Sequence, residues 1–229
     1  MPLLTTGAGA YAAAGLPGPP VLTFLQWTAG TNSTNTSTFT SMNIGPASGF
    51  TTRRIIMAIL VSGNTFTGGL TSVVINGTIT ATIHVLENTN EGVAIASADV
   101  PTGTTADVVV TAAGTFFATV VISAYTVDDA LLVSTTPSTA QGTTASGASI
   151  TTGSFTETAG GFVIATNSLA GAAGGSGTAI SGFTTDALGG SGNKEYSGHL
   201  SPIVSTATGP VTSNWTTLQA GGLAVAAWR

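Results

Sequence analysis

The sequence predicts an all-β protein, an antiparallel β-sandwich of jelly-roll-like type with an extended N-terminal arm. Three observations carry this prediction. Val, Ile, Thr and Phe, the residues that fit a pleated surface, dominate the periodic segments. Gly, Asn, Pro and Ser interrupt those segments at short intervals, as a sandwich or barrel requires. Helical periodicity is nearly absent: the one helix-friendly run, residues 10–14, is too short to stand alone and leads into Gly15-Leu16-Pro17-Gly18-Pro19-Pro20.

Taken in order, residues 1–20 read as the arm, and residues 21–229 as one sandwich domain, because neither half holds enough strands with a clean inner face to bury a core alone. Strands are expected at 21–27 and 37–44. Residues 53–61 follow, apolar on both faces after Arg53 and Arg54, which implies a strand covered on both sides, in the middle of the sandwich or at a subunit contact. Residues 71–86 form a hairpin around Asn76-Gly77, the pair that best supplies the two positive-φ positions of a type I′ turn. Beyond the turn Ile79, Ala81, Ile83 and Val85 fall on one face, and Thr78, Thr80, Thr82 and His84 on the other. Strands are expected again at 93–98 and 107–111, and at 116–127, the second segment apolar on both faces. Residues 134–153 and 170–177, poor in anything but small and hydroxylated residues, read as long surface loops. The last strands are placed at 161–167, 178–184, 211–216 and 222–228, enough in all for two sheets.

Charge excludes several functions. Only 6% of the 229 residues are charged, against about 25% in an ordinary soluble domain. The cations are Arg53, Arg54, Lys194 and Arg229, set against nine carboxylates for a net charge of −5, so nothing is available to neutralise a nucleic acid. With no cysteine there is no disulfide, thiolate metal site or cysteine nucleophile. No apolar run approaches the length of a membrane span. The N-terminus lacks the basic region of a secretory leader, and the chain is expected to be soluble and not exported by the secretory route. A positive mean hydropathy of +0.44 with so little charge favours association, so the expected state is a homo-oligomer or a subunit of a larger assembly, with a Thr/Ser/Gly/Asn skin.

Catalytic signals are weak. His84 lies on the Thr-rich hairpin face and His199 in a Ser/Gly loop, each without a partner at ligand spacing, so both read as surface histidines. Asp128-Asp129 reads as a turn former, and residues 87–91 as a solvated hairpin end. The glycine-rich stretches 171–177 and 189–195 lack the Gly-Lys-Ser/Thr ending and following helix of a phosphate loop. No catalytic residue, metal or cofactor is assigned and the chain is expected not to be an enzyme. Trp27, Trp215 and Trp228, each near a strand end, are expected to cap the core. Tyr196, flanked by Lys194 and His199 in a glycine-rich loop, is the aromatic best placed for ligand contact.

The segments Arg53-Arg54-Ile-Ile, Leu70-Thr-Ser-Val-Val-Ile-Asn-Gly77, Ala98-Asp-Val-Pro-Thr-Gly-Thr-Thr-Ala-Asp-Val-Val-Val-Thr111 and Val121-Ile-Ser-Ala-Tyr-Thr-Val127 resemble small β-sandwich virion proteins of tailed bacteriophages and prophages, as does the opening Met1-Pro-Leu-Leu-Thr-Thr-Gly-Ala-Gly. The most specific element is Asp99-Val-Pro-Thr-Gly-Thr-Thr-Ala-Asp107, in which Pro101 ends a strand, Gly103 allows the turn and Asp107 leads into the next strand. The resemblance covers residues 50–130 and the final strand, and carries no catalytic residues. It implies a capsid decoration, head-fibre or tail-fibre role on the particle surface, with the major capsid protein or tail components as partners. Leu3, Leu4, Tyr11, Leu16 and Pro17 of the arm are the expected assembly contacts. The alternative is a tail-fibre or receptor-binding adhesin that takes host-surface carbohydrate through Lys194, Tyr196 and His199.

Overall fold

The structure is a computed structural model that describes residues 19–30, 34–47, 49–50, 52–62, 69–88, 92–113, 119–169, 180–189 and 195–229. Its first nine strands are β1 (Thr23–Gly30), β2 (Thr36–Asn43), β3 (Arg53–Ser62), β4 (Leu70–Ile75), β5 (Ile79–Thr80), β6 (Thr82–Glu87), β7 (Gly92–Asp99), β8 (Thr105–Ala112) and β9 (Thr119–Asp128). They form a front sheet in the order β2-β8-β4-β5 and a middle sheet in the order β1-β9-β3-β7-β6, with every pair antiparallel. The chain crosses between the two sheets at most connections, giving the interleaved order of a jelly roll. Asn76 and Gly77 have φ of 50° and 70° at the predicted turn. The strand after it is not continuous: at Ala81, whose N–H bonds to the Val73 carbonyl, the chain leaves the front sheet as β5 and enters the middle sheet as β6.

The second half adds a layer that the sequence reading lacks. Strands β10 (Ser138–Thr151), β12 (Phe162–Leu169), β13 (Thr184–Gly189), β14 (Glu195–Leu200) and β16 (Thr212–Trp228) make a back sheet in the order β10-β16-β12-β14-β13, and β11 (Phe155–Glu157) pairs with β15 (Ala207–Gly209). Residues 134–153 are therefore largely a strand and not a loop. Their Thr and Ser hydroxyls tolerate an exposed edge, and β16 supplies the backbone partners. Likewise 211–216 and 222–228 are one 17-residue strand running through Gly221 and Gly222. The strand predicted at 178–184 starts instead at Thr184, beyond a turn at 181–182. Residues 170–177 lie outside the described residues, as do 1–18 of the arm.

Alternation along the middle sheet explains its two apolar faces. Ile55, Met57 and Ile59 of β3, with Val120, Ile122 and Ala124 of β9, pack against the front sheet. Ile56, Ala58 and Leu60, with Val121, Tyr125 and Val127, pack against Phe162, Ile164, Ala224, Ala226 and Trp228 of the back sheet. A third cluster, including Ile150, Phe155, Tyr196 and Trp215, covers the far face of the back sheet. The doubly apolar strands are thus the centre of a three-sheet stack within one chain, and their second face is covered by the chain itself.

Candidate functional site

The polar chemistry of the molecule gathers where β3, β7 and β6 run side by side. Two arginines begin β3, and strand alternation sends them to opposite faces. Arg53 is 1% exposed and meets backbone carbonyls: Nε donates to Val100 at 2.8 Å, Nη1 to Gly103 at 2.9 Å and to Gly45, and Nη2 to Thr102 at 2.7 Å. Burial lowers its pKa. It clasps the connector 99–107, whose Gly103 turns with φ of 83°. Asp107 ends that connector as a hub, its carboxylate accepting from the Ser41 N–H at 2.8 Å and its own N–H donating to Asn76 Oδ1 at 2.9 Å.

Arg54 serves the other face with all three nitrogens. Nε donates to Asp129, Nη1 to Ser97 Oγ at 2.9 Å, and Nη2 to Asp99 Oδ1 at 2.9 Å. The register that sets Arg54 opposite Asp99 brings the pair together, and Asp128 starts the short 3-10 turn at Asp129–Leu131 by accepting from the Ala130 N–H. An arginine only donates, so Ser97 Oγ accepts from it, and the same oxygen shares a hydrogen bond of 2.7 Å with His84 Nε2 whose direction follows the imidazole tautomer. Burial, and then the nearby Arg54 charge, lower the His84 pKa to about 4, and its ring meets Trp228 edge-on at 5.6 Å. His84 is half-buried and bonded, which corrects its reading as a surface histidine. Burial raises the Asp99 carboxyl, with Arg54 pulling it down and Asp129 pushing it up.

Arg54, His84, Ser97 and Asp99 border an open cleft of about 380 Å³, with Thr80, Thr82, Thr135 and Thr136 on its other walls. Its polar walls hold neutral hydroxyls, the Asp99 carboxylate, the Arg54 guanidinium and a neutral imidazole. A hydroxyl on an imidazole resembles an activated nucleophile in outline. Here the imidazole sits beside a guanidinium with a pKa near 4, which makes it a poor proton acceptor at neutral pH.

A second polar group joins the middle and back sheets. Tyr125 Oη donates to Asp186 Oδ2 at 2.8 Å, and His199 Nδ1 donates to the same carboxylate at 2.7 Å. Ser123 and Ser197 share a hydrogen bond of 2.6 Å deep in the interface. His199 therefore stands on β14 and belongs to a packed network, not to a free loop. Tyr196 is 1% exposed, its pKa raised to about 12 chiefly by burial, so it is no exposed ligand contact. Gly198 makes its burial feasible, since a Cβ there would lie 2.2 Å from the Tyr196 hydroxyl. The reason for the misreading is alternation: the glycines flank a strand whose inward positions include Tyr196. Glu87 is buried as well, against the expectation of a solvated hairpin end.

Trp215 and Trp228 lie in the core as expected, whereas Trp27 on the outer strand β1 is 45% exposed. Lys194 and the arm residues Leu3, Leu4, Tyr11, Leu16 and Pro17 lie outside the described residues. The cluster around Arg54 escaped the sequence reading, although two adjacent arginines opening a doubly apolar strand need partners on both faces, and that need was the available signal. No group of three or more His, Asp or Glu side chains arranged to hold a metal occurs among the described residues, nor does any helix long and apolar enough to cross a membrane.

No family model matches the chain, and no curated protein matches it. Among solved structures, the crystal structure of Cucumber Necrosis Virus aligns over 90% of this chain and 95% of that chain at 13% identity, with a TM-score of 0.20. At that score the alignment carries no argument about fold or function.

Proposed function

We propose that the chain is a structural protein of a tailed-bacteriophage particle, a capsid decoration or head-fibre subunit that oligomerises and attaches through residues 1–20. The observation that carries this reading is the interleaved strand order of residues 23–128. Jelly rolls recur in viral capsid domains, and also in lectins and cupins, so the order narrows the class without fixing it. The resemblance of the segments around the Asp99–Asp107 connector to virion β-sandwich proteins supports the virion choice within that class. A nearly uncharged Thr/Ser skin also suits a subunit packed among others. The same reading makes the protein non-catalytic, with His84 serving the packing of Ser97 and Trp228.

Gold labelling of purified particles tests the reading. Label on the head supports decoration, label on the tail supports the fibre alternative, and unlabelled particles reject both. Deleting residues 2–20 should abolish rebinding to undecorated particles, and undiminished occupancy would remove the arm from the proposal.

A further inference from the structure

We propose that the cleft beside Arg54 binds a neutral polyhydroxylated ligand, the sugar units of an oligosaccharide. The first argument is by exclusion. Arg54 commits all three nitrogens to Asp129, Ser97 and Asp99, and among the described residues no other cation borders this cleft, so an anionic ligand there would meet the Asp99 carboxylate without compensation. One carboxylate is too few to hold a hard cation, which takes several oxygen ligands. An apolar ligand finds few apolar walls among threonines.

The second argument is complementarity. Asp99 is a preset acceptor: Arg54 holds Oδ1 at 2.9 Å while 48% of the side chain stays exposed. His84, with Nε2 engaged by Ser97, leaves Nδ1 as a donor or an acceptor according to its tautomer, either of which a sugar hydroxyl can meet. Threonine hydroxyls both donate and accept, as sugar hydroxyls do, so each tolerates several orientations of the ligand. The walls stand on strands and on a turn that is itself tied down, with Ser134 Oγ bonded to the Thr136 N–H and carbonyl at 3.1 Å.

The third argument is extent. A neighbouring cleft of about 260 Å³ shares Thr136 and adds Ser138, Thr156 and Thr158, with Trp228 and Arg229 in its walls, this cation belonging to the second cleft and not to the one beside Asp99. Two clefts meeting at one residue give a surface longer than a single sugar ring and point to a chain of them. The inference is independent of where on a particle the protein sits, and its failure leaves the attachment proposal untouched.

The test is calorimetric titration of the full chain with neutral tri- to pentasaccharides of hexose and N-acetylhexosamine, alongside uronate-containing oligosaccharides and a Ser/Thr-rich peptide. We expect at least one neutral oligosaccharide to bind with a Kd of about 0.1–1 mM. Asp99→Ala should weaken it about tenfold, the value of a hydrogen bond to a charged group. Thr136→Phe, which blocks the junction of the two clefts, should abolish it. Trp27→Ala should leave it unchanged, and thermal melts of each variant show that the fold persists. Absence of binding by every neutral oligosaccharide, binding insensitive to both cleft variants, or preference for the acidic sugars or the peptide would each overturn the proposal.

Discussion

Arg53 holds its charge among backbone carbonyls, with a hydrogen-bonding role that no shorter cation can copy. Its guanidinium spans Val100, Thr102, Gly103 and Gly45 at once, so truncation strands several buried acceptors together. Arg53→Met should cost roughly 3 kcal/mol or more in urea unfolding. Arg53→Lys should fall between it and the parent, because an ammonium reaches fewer of the four carbonyls. Equal stability of parent and Met variant would show that the connector 99–107 holds itself. His84 gives a second residue-scale prediction. Its folded pKa of about 4 lies below the ordinary value of about 6.5, so the unfolded chain takes up its proton first. The stability it contributes is complete above about pH 6.5 and is lost as the pH falls toward 4. The raised carboxyls of Asp99 and Glu157 act in the opposite sense. The test is therefore the difference between parent and His84→Gln: the variant should show a shallower fall in melting temperature across that window, and an identical fall would discount His84.

At the scale of the element, legibility in the sequence followed how strongly one face was dictated. The hairpin at Asn76-Gly77 and the strands at 53–61 and 93–98 were readable, because a turn pair or an unbroken apolar run permits few alternatives. Strand β10 was not, since its burial comes almost wholly from pairing with β16 and its Ser, Thr, Ala and Gly residues carry no contrast between faces. Strand β14 was hidden for a related reason, two inward residues lying among small ones. The candidate site suffered most: Arg54, His84, Ser97, Asp99 and Asp129 come from β3, β6, β7 and the turn after β9, and only cross-strand register unites them. The polar links between sheets are likewise invisible in the sequence, and they are testable. Ser123→Ala and Ser197→Ala should each destabilise, because either leaves a buried hydroxyl without its partner. The double variant should lose less than their sum, with a coupling of about 1 kcal/mol in a double-mutant cycle. Additive losses would mean that the 2.6 Å contact contributes nothing specific.

For the molecule as a whole, the shortage of charge and the doubly apolar strands have separate explanations. The apolar faces of β3 and β9 need no neighbouring subunit, since the front sheet covers one and the back sheet the other. Of these two features, it is the uncharged skin that still argues for assembly. Residues 23–128 complete a jelly roll, but that unit alone would present Ile56, Leu60, Val121, Tyr125 and Val127 to water, a face now packed on Phe162, Ala226 and Trp228. A contiguous apolar patch of this kind favours association. A fragment of residues 19–131 should therefore aggregate or bind a hydrophobic dye strongly in size-exclusion and fluorescence assays. Replacing Ile56, Leu60 and Val121 with Thr, which keeps β propensity while making the face polar, should restore a soluble species. The same three changes in the full chain should instead destabilise it, because there the face is core. A soluble, dye-silent fragment without the substitutions would mean that the back sheet is an appended layer and not a required cover.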